Sequence, residues 1–444
     1  MTEHRDTMKN ATDTWTTLTA ACDGGGGGGG ACRENVCRSF SDGEAPSSGG
    51  RPGDKGLRRW ARSLYERIPW RLHWVLGPLV YIYSVFNEVR PRFWIAESHD
   101  RSGGGAAVLC ASQGRNRSYL LHQFLGDGYR ERCLGRKWLW DIPKIAAGAG
   151  RGCCMVAVST LGRFRGLLKP GRWLYIPGWV KGDVDLPLSP RVLQTETVRS
   201  DLRKIQKKSL QFRVTRDIDD FDDFYDRMYV PYITQAHGDS AVIAPHEAMR
   251  ASFKDCELLL VLWEGNPIAG MSISYAQATP RLCSMGIRDA NRDFVRDGAI
   301  GALYHYSLRY LQEKGFGKVN LGLSRSFLLD GVLRYKKKLG LRLSRAGKEW
   351  FAIQIVDDTR ASRKMLEDTP LIIERDGLLF GVVFIDVDQN GLSENDFFRL
   401  DKQFFMEGLS RLLVVPLGDP TDSVPVPPGL VERVAVRRLP HLML

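Results

Sequence analysis

Residues 297–340, DGAIGALYHYSLRYLQEKGFGKVNLGLSRSFLLDGVLRYKKKLG, hold the densest set of groups able to do chemistry. Ile300, Leu303, Tyr304, Ser307, Leu308 and Leu311 recur at helical spacing, with His305, Arg309, Gln312 and Glu313 on the other side, which predicts a helix with one core face. Gly298 and Gly301 fall in its first turn. There, absent side chains let a ligand approach N–H groups that no preceding carbonyl satisfies and that carry the positive end of the helix dipole. Such a turn can hold a phosphate or pyrophosphate. Lys314-Gly315 supplies a stop, Lys318 to Leu321 reads as a short buried strand, and a lysine-bearing helix follows. That order suits a site for an acyl donor, although two glycines near a helix start are equally compatible with an ordinary helix.

Other polar groups lie close by in sequence. Ser324, Arg325 and Ser326 follow the strand carrying Asn320, where ligands gather at strand ends in α/β arrangements, and Arg325 could clamp a carboxylate or phosphate. His237 follows an aromatic-rich helix and has a side chain whose ordinary pKa suits a general base. Asp330-Gly331 fits a turn or helix N-cap. Lys336 belongs to the charge run Arg334, Lys336, Lys337 and Lys338, and such runs usually form a solvated face, so its loss should barely affect folding.

Upstream, Glu257-Leu-Leu-Leu-Val-Leu-Trp-Glu-Gly-Asn-Pro-Ile-Ala-Gly predicts a hairpin turning at Gly265-Asn266. Together with Asp201-Leu-Arg-Lys-Ile-Gln-Lys-Lys, Phe224-Tyr-Asp-Arg-Met-Tyr-Val-Pro-Tyr ending in His237-Gly238, Lys318-Val-Asn-Leu-Gly-Leu-Ser, and Tyr335-Lys336-x-x-Leu339-Gly340, it resembles the FemAB-like and BioF2-like N-acyltransferases of the GNAT superfamily over roughly residues 195 to 350.

The resemblance implies an α/β fold, a GNAT-like mixed sheet flanked by helices, with two GNAT-like halves as the common family plan. It implies acyl transfer to an amine, or to a hydroxyl less readily, of a small or cell-envelope-related substrate. In the matching positions Lys336 would polarise the donor carbonyl or contact substrate phosphate and His237 would serve catalysis. Arg296, Gly298, Ala299 and Gly301 would bind the donor, and Tyr232, Ser324, Arg325 and Tyr335 the substrate. The chain departs from the family's donor signature at one place: Val295 stands where a basic or amide side chain is expected, and Arg296 is one position out of register. The donor therefore stays open between acyl-CoA, a co-substrate rather than a resident cofactor, and aminoacyl-tRNA, the one route by which nucleic acid would be a partner. A third reading is a non-catalytic GNAT-like scaffold at a membrane.

The 444 residues, 43% hydrophobic and 26% charged, can bury more than one core. A net charge of +12 favours acidic partners such as coenzyme A, RNA, nucleotide-linked sugars or anionic lipid. Residues 1–57, with a glycine run from Gly24 to Gly30, read as disordered low-complexity sequence without a secretory signal. Residues 58–92 read as a basic, Trp-rich amphipathic segment in which Arg58, Arg59, Arg62, Arg67 and Arg71 lead into an apolar run from Leu72 to Phe86. That run is shorter than the ~20 residues a spanning helix needs, and suits an interfacial or partner contact, or the start of a core. Residues 93–190 would hold a degenerate first GNAT-like half, 191–418 the acyltransferase domain, and 419–444 a Pro-rich extended tail.

Two metal-like signals fail. Asp386, Asp388, Asn390 and Gly391 open like a calcium loop, but Phe397 stands where a bidentate glutamate is needed. The nine cysteines form no C-x-x-C pair, so no metal is expected and the thiols read as reduced. The expected location is cytoplasmic, with peripheral contact at the inner membrane face through 58–92.

Overall fold

The computed structural model describes residues 85–98, 105–112, 114–148, 153–168, 172–238, 241–357, 359–387, 392–417 and 425–439. The glycine run, most of the 58–92 segment and three of the calcium-loop positions lie outside the described residues. The described chain is a mixed α/β protein with mixed sheets flanked by helices, as expected. It divides into two compact units interleaved in sequence: the described residues up to 178 with those of 346–368 form one, and those of 179–345 with 369–439 the other.

The first unit is built on β1 (Arg92–Glu97), β2 (Ala107–Ala111), β3 (Arg130–Arg136), β4 (Cys153–Leu161) and the latter part of β11 (Arg342–Ile355). β3 lies at the edge against β1, β1 pairs antiparallel with β2, β2 runs parallel to β4, and β4 pairs antiparallel with β11. Helix α1 (Gly114–Leu125) follows β2, and α2 (Ile142–Gly148) packs Ile142 and Ala146 on a core of Phe93, Val156, Val158 and Trp173.

In the second unit the sheet runs β5 (Leu174–Asp185, from residue 179), β10 (Lys318–Ser324), β9 (Arg281–Ile287), β8 (Asn266–Ser274), β7 (Cys256–Trp263) and β6 (Gln211–Thr215). Before it come α3 (Glu196–Lys207) and, after β6, α4 (Ile218–Asp223), which runs through a π-helical turn at Phe224–Tyr229 into α5 (Val230–His237). Gly270 and Gly286 lie opposite each other on β8 and β9. A Cβ on Gly286 would meet the Met228 carbonyl carbon at 2.4 Å, and one on Gly270 would meet the Phe224 ring at 2.5 Å. The paired glycines thus let the π turn lie directly on the sheet.

The β7–β8 hairpin is present, but its turn is Glu264-Gly265, one residue earlier than expected, because both residues take positive φ (51° and 79°) and Trp263 pairs with Asn266. A two-residue turn of this hand matches the strand twist. After α6 (His246–Phe253) and α7 (Arg292–Arg296), helix α8 (Ala299–Glu313) joins β9 to β10, and α9 (Gly331–Lys338) follows. A second sheet contains β12 (Leu371–Arg375), β13 (Leu378–Asp386), β14 (Leu409–Leu417) and β15 (Val434–Val436), with α11 (Glu394–Phe404) packed on its core after the short α10 (Arg360–Glu367) of the first unit. Within the expected tail, 425–439 contributes β15, paired in parallel with β14. No described helix is long and apolar enough to cross a membrane.

Candidate functional site

β9, α8 and β10 form a parallel crossover, but the two strands pair only at Asn320–Arg281. β10 is interrupted between Asn320 and Leu323, where its register against β5 shifts. Beyond Asn320 no further pair joins β10 to β9, and the carboxyl end of β10 lies on the same side of the crossover as the start of α8. In α/β sheets such an end is where ligands gather.

Lys336 is the principal group there. It is 3% exposed, and its Nζ donates to the Leu323 carbonyl at 2.8 Å. It therefore does not belong to a solvated face; Leu333, Lys336 and Leu339 form the buried stripe of α9, while Arg334 and Lys338 are exposed. Burial pulls the Lys336 amine down to about 7, against a smaller opposing influence from Asp330, whose carboxylate caps α9 by accepting from the Leu333 N–H at 2.8 Å. One acceptor leaves a protonated amine with two unused donors. Ser324 and Ser326, one and three residues beyond Leu323, and Ser307 on α8 are buried, and their Oγ atoms have no partner among the described residues. Buried polar atoms left unpaired cost free energy.

Arg325 is also buried, its guanidinium 3.7 Å from the Trp179 ring centroid. Neighbouring Lys337 turns the other way, donating to the Lys402 and Gln403 carbonyls at 2.8 Å and so capping the end of α11.

The residues expected to hold a donor phosphate are used differently. Gly298, Ala299 and Gly301 are buried beneath α3: a Cβ on Gly301 would lie 2.6 Å from Asp201 Cγ, and one on Gly298 would lie 2.9 Å from Lys204 Cβ. The glycines permit close packing of two helices. A carboxylate occupies the ground beside Gly301 where an anion was expected, and it suits the dipole of α8 itself. Arg296 is exposed and pairs with Asp293 at 2.8 Å. Tyr335 donates to Asp201 Oδ2 at 2.8 Å, and its ring lies 5.1 Å from that of Tyr304. Burial, then the nearby Asp201 carboxylate, raises the Tyr335 hydroxyl; burial raises Tyr232, which lies close enough to add to the rise at Tyr304. The structure thus gathers Tyr232, Tyr304, Tyr335 and Asp201 near the start of α8, and Lys336, Ser324 and Arg325 near the end of β10. The His237 side chain lies outside the described residues.

Two further features have no local signal in the sequence. Glu257 on β7 is 5% exposed and accepts from Tyr275, Tyr310, Lys314 and Arg216 at 2.7–3.0 Å. Burial alone would raise its carboxyl; the four donors outweigh that and bring it to about 2. This node ties the start of β7 to the end of α8 and thereby fixes the helix that carries Ser307. The second is a surface cavity of about 380 Å³ lined by Lys207, Lys208, Gln211, Trp263 and Gly265. Lys208 stands 5.4 Å over the Trp263 ring and binds Asp297, just before α8, at 2.8 Å.

No known protein family matches the sequence, and no curated protein matches it. Solved structures similar in part include L-PGS from Bacillus licheniformis (12% identity, 60% of this chain and 82% of that one, TM-score 0.31), FemX (12%, 59% and 88%, 0.32) and a tandem GNAT protein from the clavulanic acid biosynthesis pathway (11%, 52% and 76%, 0.26). At these scores the likeness carries no argument about family or activity.

Proposed function

We infer that the chain moves an acyl group from an activated ester or thioester to an amine, at the carboxyl end of β10, with Lys336 as the group that meets the reacting carbonyl. The observation that carries this reading is a buried amine, brought to about 7, bonded to the Leu323 carbonyl at the end of β10 with donors to spare. In acyl transfer the acceptor nitrogen bonds to the carbonyl carbon, the C–O or C–S bond breaks, and the proton lost by the nitrogen ends on the departing oxygen or sulfur, which leaves as alcohol or thiol. Charge develops on the carbonyl oxygen, and a buried ammonium donor stabilises it far better than water does. Holding the two reactants together supplies much of the remaining rate, so no covalent nucleophile is needed.

The donor is nucleotide-bearing in this reading. A phosphate chain laid on the first turn of α8 has Asp201 in its way, which favours aminoacyl-tRNA over acyl-CoA bound in the expected manner. The cavity at Trp263 offers Lys207 for a phosphate, since Lys208 is already paired with Asp297 and held over the ring, and Arg199, Arg203, Lys204 and Lys207 add positive charge along α3. The test is transfer of labelled acyl groups to a panel of amines from acyl-CoAs and from charged tRNA, with ribonuclease as control, by wild type and by Lys336→Met. Ribonuclease-sensitive transfer lost in the variant supports the reading with tRNA as donor; acyl-CoA-dependent transfer returns the donor to coenzyme A. Transfer undiminished by Lys336→Met removes Lys336 from the chemistry, and no transfer from any donor favours the scaffold.

A further inference from the structure

A different surface, on the first unit, carries a second role. Trp138 and Trp140 bracket Leu139, which is 2% exposed and anchors the turn in the core. The two indoles stack with centroids 4.6 Å apart, Trp140 is 58% exposed, and Phe86, 40% exposed, meets Trp138 edge-on at 5.5 Å. The Arg90 guanidinium lies 5.3 Å from the Trp138 ring. Exposed Lys137 and Lys144 flank the turn, and neither makes an ion pair among the described residues. On the edge strand β3, exposed Arg130 and Arg132 stand opposite Glu97 and Ile95, the alternation that shares a sheet face with Phe93 and therefore with the turn and α2. Rings that are apolar in body and polar at one edge, ringed by unpaired cations, match the boundary between acyl chains and anionic headgroups.

We propose that this aromatic and cationic patch docks the first unit on an anionic lipid surface. The sequence that precedes Phe86 supports the choice of occupant, because it is rich in the same two side-chain types: Arg58, Arg59, Arg62, Arg67 and Arg71 with Trp60, Trp70 and Trp74.

The test is co-sedimentation of the full chain with vesicles of phosphatidylcholine alone and of phosphatidylcholine with phosphatidylglycerol. Binding is expected to the mixed vesicles only, to weaken on the order of twentyfold in Lys137→Gln/Lys144→Gln, and about tenfold in Trp140→Ser. Equal binding to both vesicles, binding unchanged in the two variants, or no binding by wild type overturns the proposal.

Discussion

Replacing Lys336 by Met tests the burial argument before any substrate is known. The amine titrates near 7 in the folded protein and at an ordinary 10.5 when unfolded. Below pH 7 both states hold the proton, above 10.5 neither does, and between these values only the unfolded chain binds it. Stability conferred on the wild type therefore rises with pH across that window, by about 1.4 kcal/mol per unit where the slope is full. Between pH 7.5 and 9.5 the wild type should gain about 2.5 kcal/mol over Lys336→Met, which keeps the side-chain volume and removes the titrating group. The variant leaves the Leu323 carbonyl unpaired, a cost of about 1–3 kcal/mol that does not vary with pH. Urea unfolding of both proteins at several pH values measures the difference and cancels the groups they share. A difference constant to within about 0.5 kcal/mol would show a solvated lysine of ordinary pKa and refute the site as described.

Gly301→Ala should cost about 1–3 kcal/mol, because its Cβ falls 2.6 Å from Asp201 Cγ; Asp201→Ala should recover part of that in a double-mutant cycle, and additivity of the two would remove the contact from the account. Glu257→Gln should cost about 1–2 kcal/mol by turning charge-assisted bonds to the solvent-exposed Lys314 and Arg216 into neutral ones, read from thermal unfolding. In the wild type the contribution of Glu257 is complete above about pH 4.5 and is lost as pH falls toward 2, so the variant should lose less stability than wild type across that acid window. Lys337→Met should cost under about 1 kcal/mol, since it removes only a helix-end cap, and a larger loss would give Lys337 a role beyond α11.

Periodicity made α8, the β7–β8 hairpin and the strands on either side of them legible, since each buries a face of regular spacing. The turn was misplaced by one residue because Asn266 is the commoner turn residue, while Glu264 takes positive φ here under the demand of a two-residue loop. Lys336 hid among like charges, although Leu333 and Leu339 at spacing three already put it on the apolar stripe. Gly301 looks open to a ligand in the sequence because its neighbour, Asp201, lies a hundred positions earlier, and only the folded chain brings α3 over α8. The Glu257 node was invisible for the same reason: its donors are spread from Arg216 to Lys314 and share no local pattern.

The way the chain divides between its two units has a consequence for synthesis. β4 receives its antiparallel partner only from Glu349–Ile355, after the whole stretch from Trp179 to Arg345 has been made. At ordinary elongation rates that delay is on the order of ten to thirty seconds, during which an apolar strand offers an open edge to any neighbouring chain. A ribosome stalled inside β10 would release a first unit lacking a strand of its sheet. Conditions that slow translation through the second unit should therefore lower soluble yield by way of the first.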